Sequence, residues 1–218
     1  ISIMAMQKLK GAVIMGKDTI ITIGRQCGSG GREVGIALAK DLNIPYYDKE
    51  LLKRAAKESG LCEEVFEKFD EKPTSSLLYS IVMDPYSLGI GANGIDMPIN
   101  HKVFLAAFDT IKKIADEGPC VMIGRCADYA LADYSNVVNF FLFAPMEDRI
   151  KRVAERRELT PEKAKDYIQK AEKQRASYYN YYTTKKWGAT TSYNYCLDTS
   201  VLGIDGTVEL IKHIIDHI

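Results

Sequence analysis

The chain has 218 residues, 46% of them hydrophobic and 27% charged, which suits one domain that buries roughly 70% of its unfolded surface and needs no disulfide or metal staple. Lys+Arg and Asp+Glu both number 29, and this balance excludes a general nucleic-acid or membrane-surface binder, which carries a basic excess. The five cysteines, Cys27, Cys62, Cys120, Cys126 and Cys196, form no Cys-x-x-Cys pair, which argues against a structural zinc site.

Residues 1–18 are expected to be an N-terminal segment outside the domain, disordered or lying upstream of the true start; Lys8, Lys10 and Lys17 interrupt it, so it does not read as a secretion signal. An odd cysteine count without such a signal points to a reducing cytoplasm. No apolar run approaches the roughly 18 residues that span a bilayer.

Thr19 to Ile23 is β-branched and reads as a buried strand. A glycine-rich turn follows, Gly24-Arg25-Gln26-Cys27-Gly28-Ser29-Gly30-Gly31-Arg32. Val34, Ile36, Ala37, Leu38, Ala39 and Leu42 then give a helix with a broad apolar face. A strand that hands the chain to a helix through glycines leaves backbone N–H groups free to hold a phosphate. The turn is not a standard Walker A: Gly24 to Gly30 is one residue too long, and Gly31 stands where a lysine is expected. Nor is it a dinucleotide fingerprint, because Glu33 takes the place of the third glycine.

Asn43-Ile44-Pro45 turns the chain into Tyr46-Tyr47, and Asp48 reads as the N-cap of a helix through Ser59 that Gly60 ends. Residues 61–75 are polar and charged, and 76–100 carry the turn signals of a long loop or flap. His101 to Glu117 is helical. Cys120 to Gly124 and Val137 to Phe143 read as further buried strands, the second interrupted by Asn139. Helices follow over Met146 to Arg157 and Pro161 to Arg175, the latter opened by Thr160 as cap and Pro161 as its first residue. Tyr195 to Leu197 is a last short strand, and Ile204 to Ile218 a terminal amphipathic helix. Strands that are continuous apolar runs, alternating with helices, predict an α/β fold with a parallel sheet flanked by helices.

Such a sheet binds ligands beyond the carboxyl ends of its strands. Three strand ends are suggestive: the glycine turn, Tyr46-Tyr47-Asp48 with Arg54 six residues on, and Gly124-Arg125-Cys126-Ala127-Asp128. An arginine after a buried strand can fork two N–H groups onto a phosphate. Arg149, Arg152 and Arg156 lie on one helical face, with Arg175 on the next helix; a helical lid bearing arginines would bring cations to a moving phosphate and exclude water. Tyr178, Tyr179, Tyr181, Tyr182 and Trp187 are expected to pack the lid on the core rather than stack a base. His213 and His217, four apart on the last helix, lack a third metal ligand.

Taken together, Ile23-Gly24-Arg25-Gln26, Gly28 to Glu33, Ile44 to Leu51, Gly124-Arg125, Arg175 to Tyr179, Trp187-Gly188 and Leu202 to Asp205 resemble the cytidylate kinase-like branch of the nucleoside monophosphate kinases. The resemblance covers residues 19–218 and is weakest over 63–100. It implies a single P-loop-type domain with a monophosphate-binding flap at about 49–102 and a helical lid at about 150–182. It implies ATP as co-substrate with Mg²⁺, nucleotides as partners, and phosphoryl transfer from ATP to CMP or dCMP. Gly28, Ser29, Gly30, Gly31 and Arg32 would wrap the donor phosphates, with Asp198 near the donor base. Asp48, Arg54, Arg125 and Asp128 would face the acceptor. Arg32, Arg125, Arg152 and Arg175 are the expected catalytic cations. The chain departs from the family in lacking the glycine-turn lysine, for which Arg32 or a lid arginine could substitute, and no Ser/Thr follows to ligate the metal, so phosphates and waters would hold it. Two alternatives stay open: a nucleotide-binding protein that has lost catalysis, and a kinase of another small acceptor.

Overall fold

The computed structural model describes residues 18–61, 63–69 and 99–218. Residues 1–17, and the part of the expected flap over 70–98, lie outside the described residues. The strands are β1 (Ile20–Arg25), β2 (Tyr46–Tyr47), β3 (Val121–Ile123), β4 (Val137–Phe143) and β5 (Tyr195–Asp198). The helices are α1 (Gly31–Leu42), α2 (Lys49–Ser59), α3 (Glu63–Phe69), α4 (Ile99–Glu117), α5 (Ala127–Ala130), α6 (Met146–Arg157), α7 (Pro161–Tyr182) and α8 (Thr199–Ile215).

All five strands are parallel, in the order β2-β3-β1-β4-β5. Side chains alternate across each strand, so β1 feeds both faces of the sheet. Ile20 joins Leu51, Phe66, Ile111, Ile114 and Met122 beneath α2, α3 and α4. Ile21 and Ile23 join Val34, Leu38, Phe140, Val208 and Ile211 beneath α1 and α8. Asn139 fits a buried strand because Thr22 Oγ1, on the neighbouring strand, donates to its Oδ1 at 2.6 Å.

The aromatic stretch extends α7 past its expected end at Arg175. Tyr178, Tyr179 and Tyr182 are buried among Phe104, Phe141 and Tyr193, and Phe104 stacks on Tyr182 at 4.0 Å between ring centroids. This burial holds the last turns helical, a tertiary effect that local propensity does not report. Similarly α8 begins at Thr199 rather than Ile204, because Asp198 caps it through the Ser200 N–H at 2.9 Å and Gly203, at φ +67°, absorbs a kink between two helical runs. Thr160 caps α7 as expected, accepting from the Lys163 N–H.

Beyond the sheet, α6 and α7 pack on each other and on the glycine turn. Cys27, Val153, Ala164 and Ile168 form a small separate core there. Val153 and Ile168 are fully buried, each contributing about 1.5–3 kcal/mol to seating the helix pair. Gly28 sits at φ +81°, and a Cβ on it would lie 2.8 Å from the Arg149 carbonyl oxygen and 2.9 Å from Val153 Cγ2. Only glycine allows so close an approach of α6 to the turn.

Candidate active site

The turn between β1 and α1 opens onto a cavity of about 560 Å³ at the carboxyl end of the sheet. Gly28, Gly30, Gly31, Arg32, Asp48, Arg125 and Arg175 line it, so most of the expected site converges there. Gly30 caps α1 at φ +83° and offers no side chain to its first amides, which leaves that helix end suited to an anion. Ser29 lies beneath the turn, fully buried, with its hydroxyl accepting from the Gly31 N–H at 3.3 Å. Thr199 Oγ1 donates to the Ser29 carbonyl, which ties the start of α8 to the same turn.

Asp48 departs from the expected capping role. It precedes α2, yet its carboxylate caps nothing. Instead Oδ1 accepts from Arg125 Nη1 at 2.9 Å and Oδ2 meets Arg32 Nε at 3.0 Å. A buried carboxylate gains more from two cations than from one amide. Burial pushes the Asp48 carboxyl up, but Arg125, Arg25 and Arg32 outweigh it and hold the group below the ordinary aspartate range. Arg125 is also buried, and Nη1 donates to the Ile123 carbonyl at 3.2 Å. Its backbone is left-handed at φ +53°, as is that of Cys126 at φ +58°. For residues with a side chain this conformation carries strain, of the kind that clusters at functional sites.

Four other expected residues lie elsewhere. Asp128 lines a smaller cavity of about 20 Å³, room for about one water, which shares Arg25, Arg125 and Arg175 with the main one. Tyr179 Oη donates to its Oδ2 at 2.6 Å and Lys185 Nζ stands at 3.4 Å, yet burial dominates and keeps the Asp128 carboxyl above its usual range. Arg152 braces the outer flank of the turn, donating to the Gly28 carbonyl at 3.3 Å and to Thr199 Oγ1 at 3.4 Å. There it lines a neighbouring cavity of about 470 Å³ with Glu33, Arg156 and Ile204. Arg54 points to α4: it donates to Glu117 Oε2 at 2.8 Å and to Glu58 Oε1 at 2.7 Å, and it lines neither cavity beside the turn. Asp198 is engaged by the Ser200 N–H and hydroxyl.

Sequence reasoning passed over Arg25, Lys49 and Tyr167, which line the main cavity, and placed Arg156 and Arg157 only among the arginines of the lid. Arg25 ends β1 just as Arg125 follows β3, so the strand-end logic applied to the one would have found the other. Arg156 Nη1 meets Glu33 Oε1 at 2.9 Å, and Arg157 lies over the Tyr167 ring at 4.1 Å. Arg149, on the same face as Arg152 and Arg156, is buried against Glu172 of α7 instead.

A parallel sheet in this order, with a glycine turn after its central strand, defines a P-loop-type fold. Shikimate kinase from Bacteroides thetaiotaomicron shares the fold with a TM-score of 0.53 at 16% identity, over 91% of this chain and 98% of that one. The chain belongs to the cytidylate kinase-like family, whose model matches residues 20–201. Cytidylate kinase of Methanopyrus kandleri is 26% identical over 208 residues, 91% of this chain and 94% of the relative. Cytidylate kinase of Thermococcus kodakarensis is 28% identical over 201 residues, 91% and 89% respectively. The crystal structure of an uncharacterized protein from Eubacterium ventriosum superposes with a TM-score of 0.70 at 28% identity, covering 92% of this chain and 99% of that one. Membership of this family supports nucleotide kinase activity. Among the described residues no helix is long and apolar enough to cross a membrane.

Proposed function

We propose that the protein transfers the γ-phosphoryl group of ATP to a nucleoside monophosphate, with CMP or dCMP as acceptor. The observation that carries this reading is the charge of the main cavity. Six arginines and Lys49 line it against Glu33 and Asp48, seven cations to two carboxylates, an excess of five. ATP and a monophosphate bring about four and about two negative charges, most of which this excess offsets.

In this reading the turn over Gly28–Arg32 takes the donor phosphates at the uncapped end of α1. Arg125 and Asp48 orient the acceptor, whose phosphate oxygen attacks the γ-phosphorus in line. The bond to the β-bridging oxygen breaks, and ADP leaves with a nucleoside diphosphate. The protein aligns the two phosphates, neutralises charge and excludes water. Arg175 on α7 and Arg152 on α6 close over the donor. A role for Arg54 at the acceptor phosphate requires Glu117 and Glu58 to release it, and Asp128 and Asp198 would act at the edges of the acceptor and donor sites.

The donor set fits Mg²⁺ only through the nucleotide. The Ser29 hydroxyl is turned inward, Asp48 is held by two arginines, and the described residues contain no group of three or more metal-ligating side chains. Phosphate oxygens and waters would hold the ion, which when bound neutralises charge between the β- and γ-phosphates.

A coupled ADP-release assay over a panel of monophosphates and small phosphate acceptors tests the reading. ADP formed with CMP or dCMP above all others supports it. ADP formed only with an acceptor that is not a nucleotide replaces it with another kinase activity. Binding of ATP and CMP without turnover replaces it with a nucleotide-binding role.

A further inference from the structure

Counting back from Gly30, the first glycine of a Gly-x-x-x-x-Gly-Lys turn falls on Arg25 and the lysine on Gly31. The glycine and the cation have exchanged places. Packing links the two changes. A Cβ on Gly31 would lie 2.7 Å from Arg25 Cβ and 3.3 Å from Arg25 Cγ. These atoms root the Arg25 side chain and cannot swing aside as a flexible tip could, so one space admits the side chain of residue 25 or of residue 31, not both.

We infer that Arg25 is a catalytic residue that grips the donor phosphates in place of the missing lysine, and that Gly31 is glycine to let it pass. This rests on the phosphoryl-transfer reading above. The cations first considered for that role, Arg32, Arg152 and Arg175, are each placed differently. Arg32 is directed at Asp48, with a side chain that is 53% exposed. Arg152 lies on the outer flank against Gly28 and Thr199. Arg175 Nη1 donates to the Arg25 carbonyl at 3.2 Å, so it anchors the end of β1 from the lid side. Arg25 lines the main cavity beside Gly28, Gly30 and Gly31. Its charge is also felt at Asp48 across that cavity, where it helps hold the carboxyl low. A guanidinium carries the lysine's charge and adds a two-pronged grip on adjacent phosphate oxygens.

The test compares wild type, Arg25→Met, Arg25→Gly, Gly31→Lys and the double variant Arg25→Gly/Gly31→Lys. Each is assayed for ATP-dependent turnover of the best acceptor and for ATP affinity by calorimetry, with melting curves to confirm folding. Arg25→Met keeps the stem packed on Gly31 and removes only the charge. It is expected to lower kcat/KM for ATP by roughly 10²–10³-fold, the scale of a lost transition-state donor. Gly31→Lys alone is expected to be inactive, because its side chain collides with Arg25. The double variant is expected to regain at least about tenfold over Arg25→Gly, because removing the residue 25 Cβ lets the lysine enter the vacated space. If wild type turns over and Arg25→Met matches it, or if the double variant is no better than Arg25→Gly, the inference is overturned while the function stands. If wild type neither binds ATP nor turns over, the function itself falls and takes the inference with it.

Discussion

Arg125 should hold the acceptor side together as well as serve it, and its removal can be separated from catalysis by measuring stability. Arg125 and Asp48 are both 6% exposed and are joined at 2.9 Å. Arg125→Met fills much of the stem volume but leaves the Asp48 carboxylate buried with one partner, Arg32, whose own side chain is half in solvent. Breaking a buried pair from one side costs about 3–5 kcal/mol. The remaining Arg32 contact places this case near the low end, about 3 kcal/mol. For a chain of this size that lowers Tm by roughly 6–12 °C. Adding Asp48→Asn removes the stranded charge and should restore about 2 kcal/mol of the loss. Backbone strain gives an internal control. Arg125 sits at φ +53°, so Arg125→Gly should be about 1 kcal/mol less destabilising than Arg125→Ala. Urea unfolding followed by circular dichroism, at matched m-values, measures all of these. A loss below about 1 kcal/mol for Arg125→Met, or a double variant less stable than Arg125→Met alone, would refute the view that this pair is a buried strut.

Three further outcomes are expected. Gly28→Ala combines φ +81° with contacts of 2.8 Å and 2.9 Å to α6, whereas Gly60→Ala, at φ +72°, meets nothing within 4 Å; thermal melts should show the first costing about 1–3 kcal/mol more than the second. Asp48 has a depressed pKa, so its contribution is present above the unfolded value of about 3.9 and is lost as pH falls through the folded value. The stability gap between wild type and Asp48→Asn should therefore hold constant from pH 7 to about 5 and shrink below about 4, and a gap that widens in acid would reverse the sign of the argument. Burial pushes the Cys27 thiol up, more than Arg175 and Arg156 pull it down; iodoacetamide labelling at neutral pH, read by mass spectrometry, should be much slower in the folded protein than in urea, and equal rates would contradict that environment.

Local pattern carried the elements but not their partners. The β-branched run before Gly24 and the apolar face from Val34 onward are one-dimensional signals, and β1 and α1 lie where they predict. Nothing in the short run Cys120 to Gly124 says that β3 inserts between β1 and β2. That order is set by pairing between residues far apart in the chain, Ile21 with Val121 and Tyr46 with Val121. The site divides the same way. Asp48 was legible as a carboxylate after a strand, but the choice between capping α2 and pairing with Arg125 is made by a residue 77 positions away. Arg54 was legible as a cation on the expected flap, yet Glu117, 63 positions on, determines where it points.

What the strand ends place and what the lid helices place also differ in physical kind. Arg25 ends the central strand β1, Arg125 follows its neighbour β3 and Asp48 follows the edge strand β2, so three charged groups of the cavity are set by the hydrogen-bonded backbone of the sheet. Arg156 and Arg157 come from the last turn of α6 and are exposed; that helix pair rests on the turn through a small apolar core around Val153 and Ile168. Sheet-borne charges move little because displacing them means displacing the core. Lid-borne charges need only the local contacts of that small core to change. A phosphoryl-transfer site needs both kinds: fixed cations to define where the phosphates lie, and a closing set that arrives with the exclusion of water. Exchanging a helix-borne lysine at position 31 for a strand-borne arginine at position 25 moves one cation from the start of α1 to the end of the central strand. The charge at the donor phosphates is then held by the stiffest part of the fold, and the glycine left behind keeps the first turn of α1 open to anions.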